Sequence, residues 1–215
     1  MTSLPPFTVD AAVAPIVRPA VLWWDDARVS GSSDILDHEL PPAEARVRML
    51  PPEETAAVRT MYKRIGLDPT RTRPSNEALL RRLRKGDRLP RINAMVDVIN
   101  WCSVECQLPY GLYDRARMHV PVTLRLGADG EEYAGIRKDT VHVGGRLVVA
   151  DAEGPFGNPT SDSARTMVTL STNHALVVVY APTEVSRGRL TEVLDLTAGR
   201  LLRVCGGRES GRWIA

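Results

Sequence analysis

Residues Asp68–Asp114 read DPTRTRPSNEALLRRLRKGDRLPRINAMVDVINWCSVECQLPYGLYD. Proline and glycine at Pro74, Gly86, Pro90 and Pro109–Gly111 divide the stretch into two segments with helical periodicity. Ser75 is the expected N-cap of the first helix, Glu77 falls in its first turn, and Gly86 lies just past its last turn. Leu79, Leu80 and Leu83 form its buried stripe, and Arg81, Arg82, Arg84 and Lys85 point elsewhere. The second helix is expected over Ile92–Ser103. It carries Ile92, Val96, Ile99 and Ser103 on one side and Asn93, Asp97 and Asn100 on another. An ordinary core helix has no need of three such polar groups at helical spacing, so function is read from here. A loop at Pro109–Gly111 is expected to end the block.

Outward from this block the halves differ. Upstream, residues 1–11 read as a flexible lead and Ala14–Trp24 as one or two strands interrupted by Pro19. The Ser/Gly-rich run before Asp34 reads as a loop, and Pro41–Pro42 as the opening of a helix carrying Ala43, Ala45, Val47 and Leu50. Glu53 and Glu54 suit the start of a further helix that runs to Ile65 and ends at Gly66. Downstream the period changes to two. Val120–Gly127 reads as a strand, Val141–Asp151 as a hairpin or two short strands around Gly144–Gly145, and Met167–Leu170 and Ala175–Ala181 as strands. The last of these is nearly all apolar and is expected to be central. Leu190–Leu202 reads as an amphipathic helix closing a single domain of 215 residues. A helix-rich half followed by a strand-rich half predicts α+β with segregated layers.

Composition narrows the classes. No apolar run reaches the length of a membrane span, and the N-terminus lacks the charged and apolar regions of a signal peptide. Three cysteines without disulfide-like spacing suit a reducing cytoplasm. Cys102 and Cys106 lie one helical turn apart with no suitably spaced third ligand, so neither metal nor other cofactor is expected. The net charge of +2 is near neutral, so the distribution of charge matters more than its sum.

That distribution is uneven. Arg64, Arg71, Arg73, Arg81, Arg82, Arg84, Lys85, Arg88 and Arg91 crowd one segment. Such cations neutralise phosphates and release counterions. The plainer alternative is a solvated helix face paired to Asp68 and Glu77. With no helix-turn-helix or zinc-finger spacing, RNA rather than duplex DNA is the expected partner. The expected RNA contacts are Arg71, Arg73, Arg81, Arg82 and Lys85. Asn93, Asp97 and Asn100 either line a pocket or tie the helix to its neighbours, because buried amides and carboxylates need partners. The segment GNPTSDSART offers hydroxyls and backbone N–H groups to a polar ligand. A Ser163–His174 catalytic pair and an ordinary cap or turn role for Asp162 or Ser163 are both compatible with it.

The ordered motifs also carry a family resemblance. R-P-S-x-E-A-L-x-R-R from Arg73, L-P-x-I-N-x-x-V-D-x-x-N from Leu89 and L-P-x-G-x-Y-D from Leu108 resemble a B3/B4 domain. This is the editing domain of the bacterial phenylalanyl-tRNA synthetase beta subunit. A D-x-x-G turn (Asp151, Gly154) followed by D-S-x-R-T (Asp162, Ser163, Arg165, Thr166) is similar to its free-standing relatives. The resemblance spans roughly Leu50–Ala181. It implies an α+β fold with helices on a β-sandwich of mostly antiparallel strands, an amino-acid-sized pocket, and contact with tRNA or aminoacyl-tRNA. It places Asn100 in the pocket. Ile99 stands where the synthetase domain has threonine, and Gly111 where it has histidine.

The resemblance and the residues together suggest hydrolysis of misacylated aminoacyl-tRNA in trans. Asn93, Asp97, Asn100, Asp162, Ser163 and Arg165 are the expected substrate contacts, and the catalytic group is unassigned. The departures at Ile99 and Gly111 favour an alternative, a non-catalytic module that binds a free amino acid or small metabolite.

Overall fold

The run ALVVVYAP at Ala175–Pro182 forms β9, and every one of its side chains is buried. A strand apolar on both faces must be covered on both, and β9 is. It is hydrogen-bonded antiparallel between β2 (Val17–Asp25) and β3 (Tyr110–Asp114). Strand β10 (Arg208–Ile214) continues the sheet beyond β2, giving the order β10-β2-β9-β3. A second sheet has the order β1-β4-β7-β8, formed by Phe7–Val9, Val122–Leu126, Leu147–Asp151 and Gly154–Gly157. Only β1 and β4 run parallel in it. A small ribbon pairs β5 (Glu132–Ala134) with β6 (Thr140–His142). The computed structural model describes residues 6–51, 55–136 and 139–215.

The two larger sheets share a continuous apolar core. Tyr113 of β3 meets Phe156 of β8 edge to face, with ring centroids 4.9 Å apart. Helices cover the first sheet. α4 (Ala94–Cys106) packs on β3 and on α5 (Arg187–Cys205), while α1 (Asp34–Arg48) and α3 (Ser75–Arg84) pack on α4. α2 (Ala56–Arg64) contacts β9. The fold is mixed α+β with antiparallel-dominated sheets, as the order of the sequence segments predicts. No helix among the described residues is long and apolar enough to cross a membrane.

Several boundaries differ from the sequence reading. Pro41 and Pro42 lie inside α1 rather than opening it. Interior proline costs a helix about 3 kcal/mol or more. The helix nonetheless buries Leu36, Leu40, Ala43 and Val47 along one face, and Ser33 caps its start. The expected flexible lead contains β1, whose pairing to β4 is non-local and leaves no periodicity in three residues. Residues 1–5 of that lead, and the acidic pair Glu53 and Glu54, lie outside the described residues. Pro19 does not split β2. Tyr110 and Gly111 open β3 instead of lying in a loop, and Ser75 is the first residue of α3, with Pro74 at the cap position. Met167–Leu170 is not a strand: Thr169 and Thr172 close a turn there. Of the two readings of Val141–Asp151 the structure has the second, two short strands, with β6 and β7 each paired to a different strand rather than to each other. The chain closes on β10 rather than on α5.

Candidate functional site

Between α4, β3 and the loop after β5 lies a cavity of about 330 Å³. Its walls are Ile92, Val96, Ile99, Leu112, Met167 and Val168, with Ile136 and Tyr110 across from them. Asn100 and Asp162 supply its hydrogen-bonding side chains apart from Tyr110, whose hydroxyl is bonded to Thr197. A second chamber of about 150 Å³ adjoins it and shares Ile99, Asn100, Tyr110, Ile136 and Asp162. The second chamber is more polar. It adds Ser75 and Leu79 of α3 and Ser103, Asn158, Thr160 and Ser161. The Ser75 hydroxyl is buried and has no hydrogen-bond partner among the described residues. A largely apolar concavity with a few convergent polar groups is the usual form of a small-ligand site.

The turn that delivers Asp162 is held from several sides. Asn158 Oδ1 accepts from the backbone N–H of Thr160 and of Ser161, both at 2.8 Å. Tyr133 Oη donates to the Ser161 carbonyl at 2.6 Å and accepts from Asn158 Nδ2 at 2.8 Å. Tyr62 Oη lies 3.0 Å from Thr160 Oγ1. Tyr113 Oη donates to Asp162 Oδ1 at 3.0 Å and lies 2.6 Å from Tyr180 Oη. Burial raises the pKa values of Tyr113, Tyr133 and Tyr180 above the phenol range, and the Asp162 charge pushes the same way. These phenols therefore stay protonated and act as donors.

The six residues expected to touch substrate separate into two sets. Asn100 and Asp162 meet at the cavity. Asn93 caps α4, its Oδ1 accepting from Val96 N–H at 3.0 Å. Asp97 is buried, accepting from Ile92 N–H and from Arg91 Nε, each at 2.8 Å. Ser163 is buried and its Oγ accepts from Arg165 N–H at 3.0 Å. Arg165 grips Asp151 through both guanidinium ends at 2.8 and 3.0 Å. Burial alone would raise the Asp151 carboxyl, but Arg165 and the N–H groups of His119 and Glu153 more than offset it and hold the group below its ordinary value. Neither Asn93, Asp97, Ser163 nor Arg165 lines either chamber. His174 Nδ1 sits 3.0 Å from Asp25 Oδ1, while Ser163 is committed to its own turn.

The basic segment is partly paired. Glu77 takes Arg59 in a bidentate contact at 2.7 and 2.8 Å and Arg73 at 3.4 Å. Arg71 is largely exposed, 3.9 Å from Asp68. Arg82 Nε donates to the Arg88 carbonyl at 2.6 Å. Arg81 and Lys85 are exposed and carry no ion pair among the described residues. α3 thus lines the polar chamber at its start and exposes cations toward its end. Among the described residues no group of three or more His, Cys, Asp or Glu side chains is placed to hold a metal ion. Burial pushes the Cys106 thiol up to about 12.

The sequence reading missed Ile136, Met167 and Val168 as cavity walls and Ser75 as a lining hydroxyl. The first three are apolar and lie in irregular segments, where no period flags them. Ser75 carried a competing signal, its fitness as a helix cap. The position of Gly111 has a steric reason. A Cβ built on it would overlap the Tyr113 hydroxyl.

Comparisons with known proteins bear on the family and the fold. A family model, the B3/4 domain, matches residues 57–193. No curated protein matches the chain in sequence. The fold is similar to the crystal structure of an N-terminal fragment of the phenylalanyl-tRNA synthetase beta-subunit from Pyrococcus horikoshii. The TM-score is 0.51 and the identity 13%, over 99% of this chain and 55% of that one. The chain therefore spans about half the length of that fragment, and the likeness at this identity is one of fold. With the B3/4 match extending over more than half of its length, the chain belongs to the B3/4 domain family.

Proposed function

We propose that the protein binds the aminoacylated end of a tRNA and hydrolyses a wrong amino-acid ester in trans. The observation that carries this reading is the convergence of Asn100 and Asp162 on one apolar cavity, adjoining a polar chamber that begins at α3. The larger chamber takes the amino-acid side chain. The polar chamber, with Ser75 and Thr160, takes the terminal ribose. Arg81, Arg82 and Lys85 on the same helix, with Arg71 and Arg73 before it, meet the phosphates. A cytoplasmic setting goes with such a substrate.

In this reading water attacks the ester carbonyl carbon, the bond from that carbon to the ribose oxygen breaks, and the ribose oxygen takes a proton. The Asn100 amide donates to the carbonyl oxygen as charge develops there. The Asp162 carboxylate pairs with the α-ammonium group. No histidine among the described residues lines either chamber, so proton transfer falls to water and the neighbouring ribose hydroxyl. The test is deacylation of a panel of correctly and incorrectly charged tRNAs. Selective loss of one charged species, reduced by Asn100→Ala, is the expected result. Spontaneous rates across the whole panel with folded protein would sink the hydrolytic reading.

One observation favours a second reading, a module that binds a free amino acid without cleaving anything. Gly111 stands where the synthetase domain carries its histidine, and the Tyr113 hydroxyl fills the space a side chain would need. Under this reading a free amino acid raises the melting temperature, since a ligand of the native state stabilises it by mass action.

A further inference from the structure

Tyr113 and Tyr180 are both fully buried, and their hydroxyls touch at 2.6 Å inside the core. Buried hydroxyls are costly unless each finds a partner. Two phenols that both stay protonated satisfy each other only if the chain of donors ends in an acceptor. Here it ends in Asp162 Oδ1, 3.0 Å from Tyr113 Oη. The direction is therefore Tyr180 to Tyr113 to Asp162. Two phenylalanines would fill the same volume with no polar group to satisfy, and such double replacement is often near neutral for stability.

The surrounding backbone is shaped for the Tyr113 side chain. Gly111 of β3 and Gly157 of β8 flank it, and a Cβ built on either would overlap Tyr113 Oη. Glycine inside a strand weakens it and often marks a close approach. Two glycines from different sheets thus make room for the Tyr113 ring and its hydroxyl together. Tyr133 and Tyr62 fix the turn just before Asp162. Tyr113 adds a hydrogen bond to the carboxylate itself.

We propose that Tyr113, backed by Tyr180, is a positioning residue for Asp162, holding its carboxylate on the cavity wall for the ammonium group of an aminoacyl ligand. This rests on the reading of the cavity as an aminoacyl site. The pair acts through Asp162 and never touches the ligand, so its contribution exists only while Asp162 is a carboxylate.

The test is a double-mutant cycle on the full chain, read by titration calorimetry. The probes are L-leucinamide, L-methioninamide and L-phenylalaninamide, each beside its N-acetyl form, which lacks the ammonium. Tyr113→Phe lowers affinity for the bound amide about tenfold, the scale of one hydrogen bond to a charged group. It leaves the acetylated probe unchanged. Tyr180→Phe has a smaller effect of the same kind. In an Asp162→Asn background Tyr113→Phe has no further effect. An additive loss in that background, or an equal loss for the acetylated probe, overturns the proposal. Should Tyr113→Phe fail to fold, Tyr180→Phe carries the same cycle. If the wild type binds none of the probes, it is the aminoacyl reading of the cavity that has failed. The positioning claim is then decided by the crystal structure of the phenylalanine variant. A carboxylate turned off the cavity wall supports it, and an unmoved one overturns it.

Discussion

Helices α3 and α4 are neighbours, both dense in polar residues, and they use them in opposite ways. α3 turns Arg81, Arg82, Arg84 and Lys85 to solvent and buries Leu80 and Leu83. α4 is buried along most of its length and takes its polar groups inside with it. Of the three polar side chains that share its face in sequence, Asn93 is consumed by the helix cap and Asp97 by Arg91 and the Ile92 N–H. Only Asn100 reaches the cavity. The comparison teaches that a polar residue on a buried helix is a candidate for binding only after its local partners have been counted. The first turn of a helix, with its orphan N–H groups, claims such residues first.

The sharpest way to break this distinction is to remove Asp97. Asp97→Ala removes a buried carboxylate and leaves the Ile92 N–H and the Arg91 Nε–H without the acceptor they share. It should cost about 3 kcal/mol of unfolding free energy, read from denaturant midpoints. Ligand affinity at temperatures where the variant is folded should stay within a factor of two or so. An unchanged midpoint with lost binding would reverse the assignment.

Arg165 gives the next largest effect. Replacing it with methionine strands Asp151, at a cost of about 2 kcal/mol near neutral pH. The Asp151 carboxyl is held below its unfolded value. The stability it contributes is therefore present above that unfolded value, roughly pH 4, and is lost as pH falls through the lower folded value. Unfolding curves collected from pH 7 down to pH 2 should converge for wild type and Arg165→Met at the acid end. Curves that stay parallel would show that the pair is not the source of the difference.

Asn100→Ala should behave in the opposite way to Asp97→Ala. Its stability should change by less than about 0.5 kcal/mol, while turnover or ligand affinity falls about tenfold. Equal damage to stability and binding would place Asn100 in the structural set with its two neighbours.

The smallest single effects belong to the surface of α3. Arg81→Ala and Lys85→Ala should leave folding untouched, since neither side chain holds an ion pair among the described residues. Each should weaken tRNA binding a few-fold and reduce the salt dependence by about one phosphate contact. A salt slope identical to wild type in the double variant would remove α3 from the RNA interface.

Much of the architecture is visible in local pattern. The apolar run of β9, the leucine stripe of α3, Gly66 and Gly86 past their helices, and the change of period near Val120 are all encoded by neighbours in sequence. What local pattern misreads is where a distant partner overrides it. β1 and β10 exist because β4 and β2 offer edges to them. Pro41 and Pro42 sit inside α1 because the stripe from Leu36 to Val47 packs on the core. Met167 and Val168 look like a strand and instead form a cavity wall.

The site divides along the same line. Residue chemistry alone marks Asn100, Asp162 and the cations of α3 as worth attention, and the order of motifs points to the family. Tertiary structure alone decides that Asn100 and Asp162 share a cavity, that Arg165 belongs to Asp151, and that a tyrosine hydroxyl occupies the space beside Gly111. The physical reason is that periodicity reports which face of an element is buried. Whether a buried polar atom still has bonding capacity for a ligand depends on partners that only the folded chain brings within 3 Å or so.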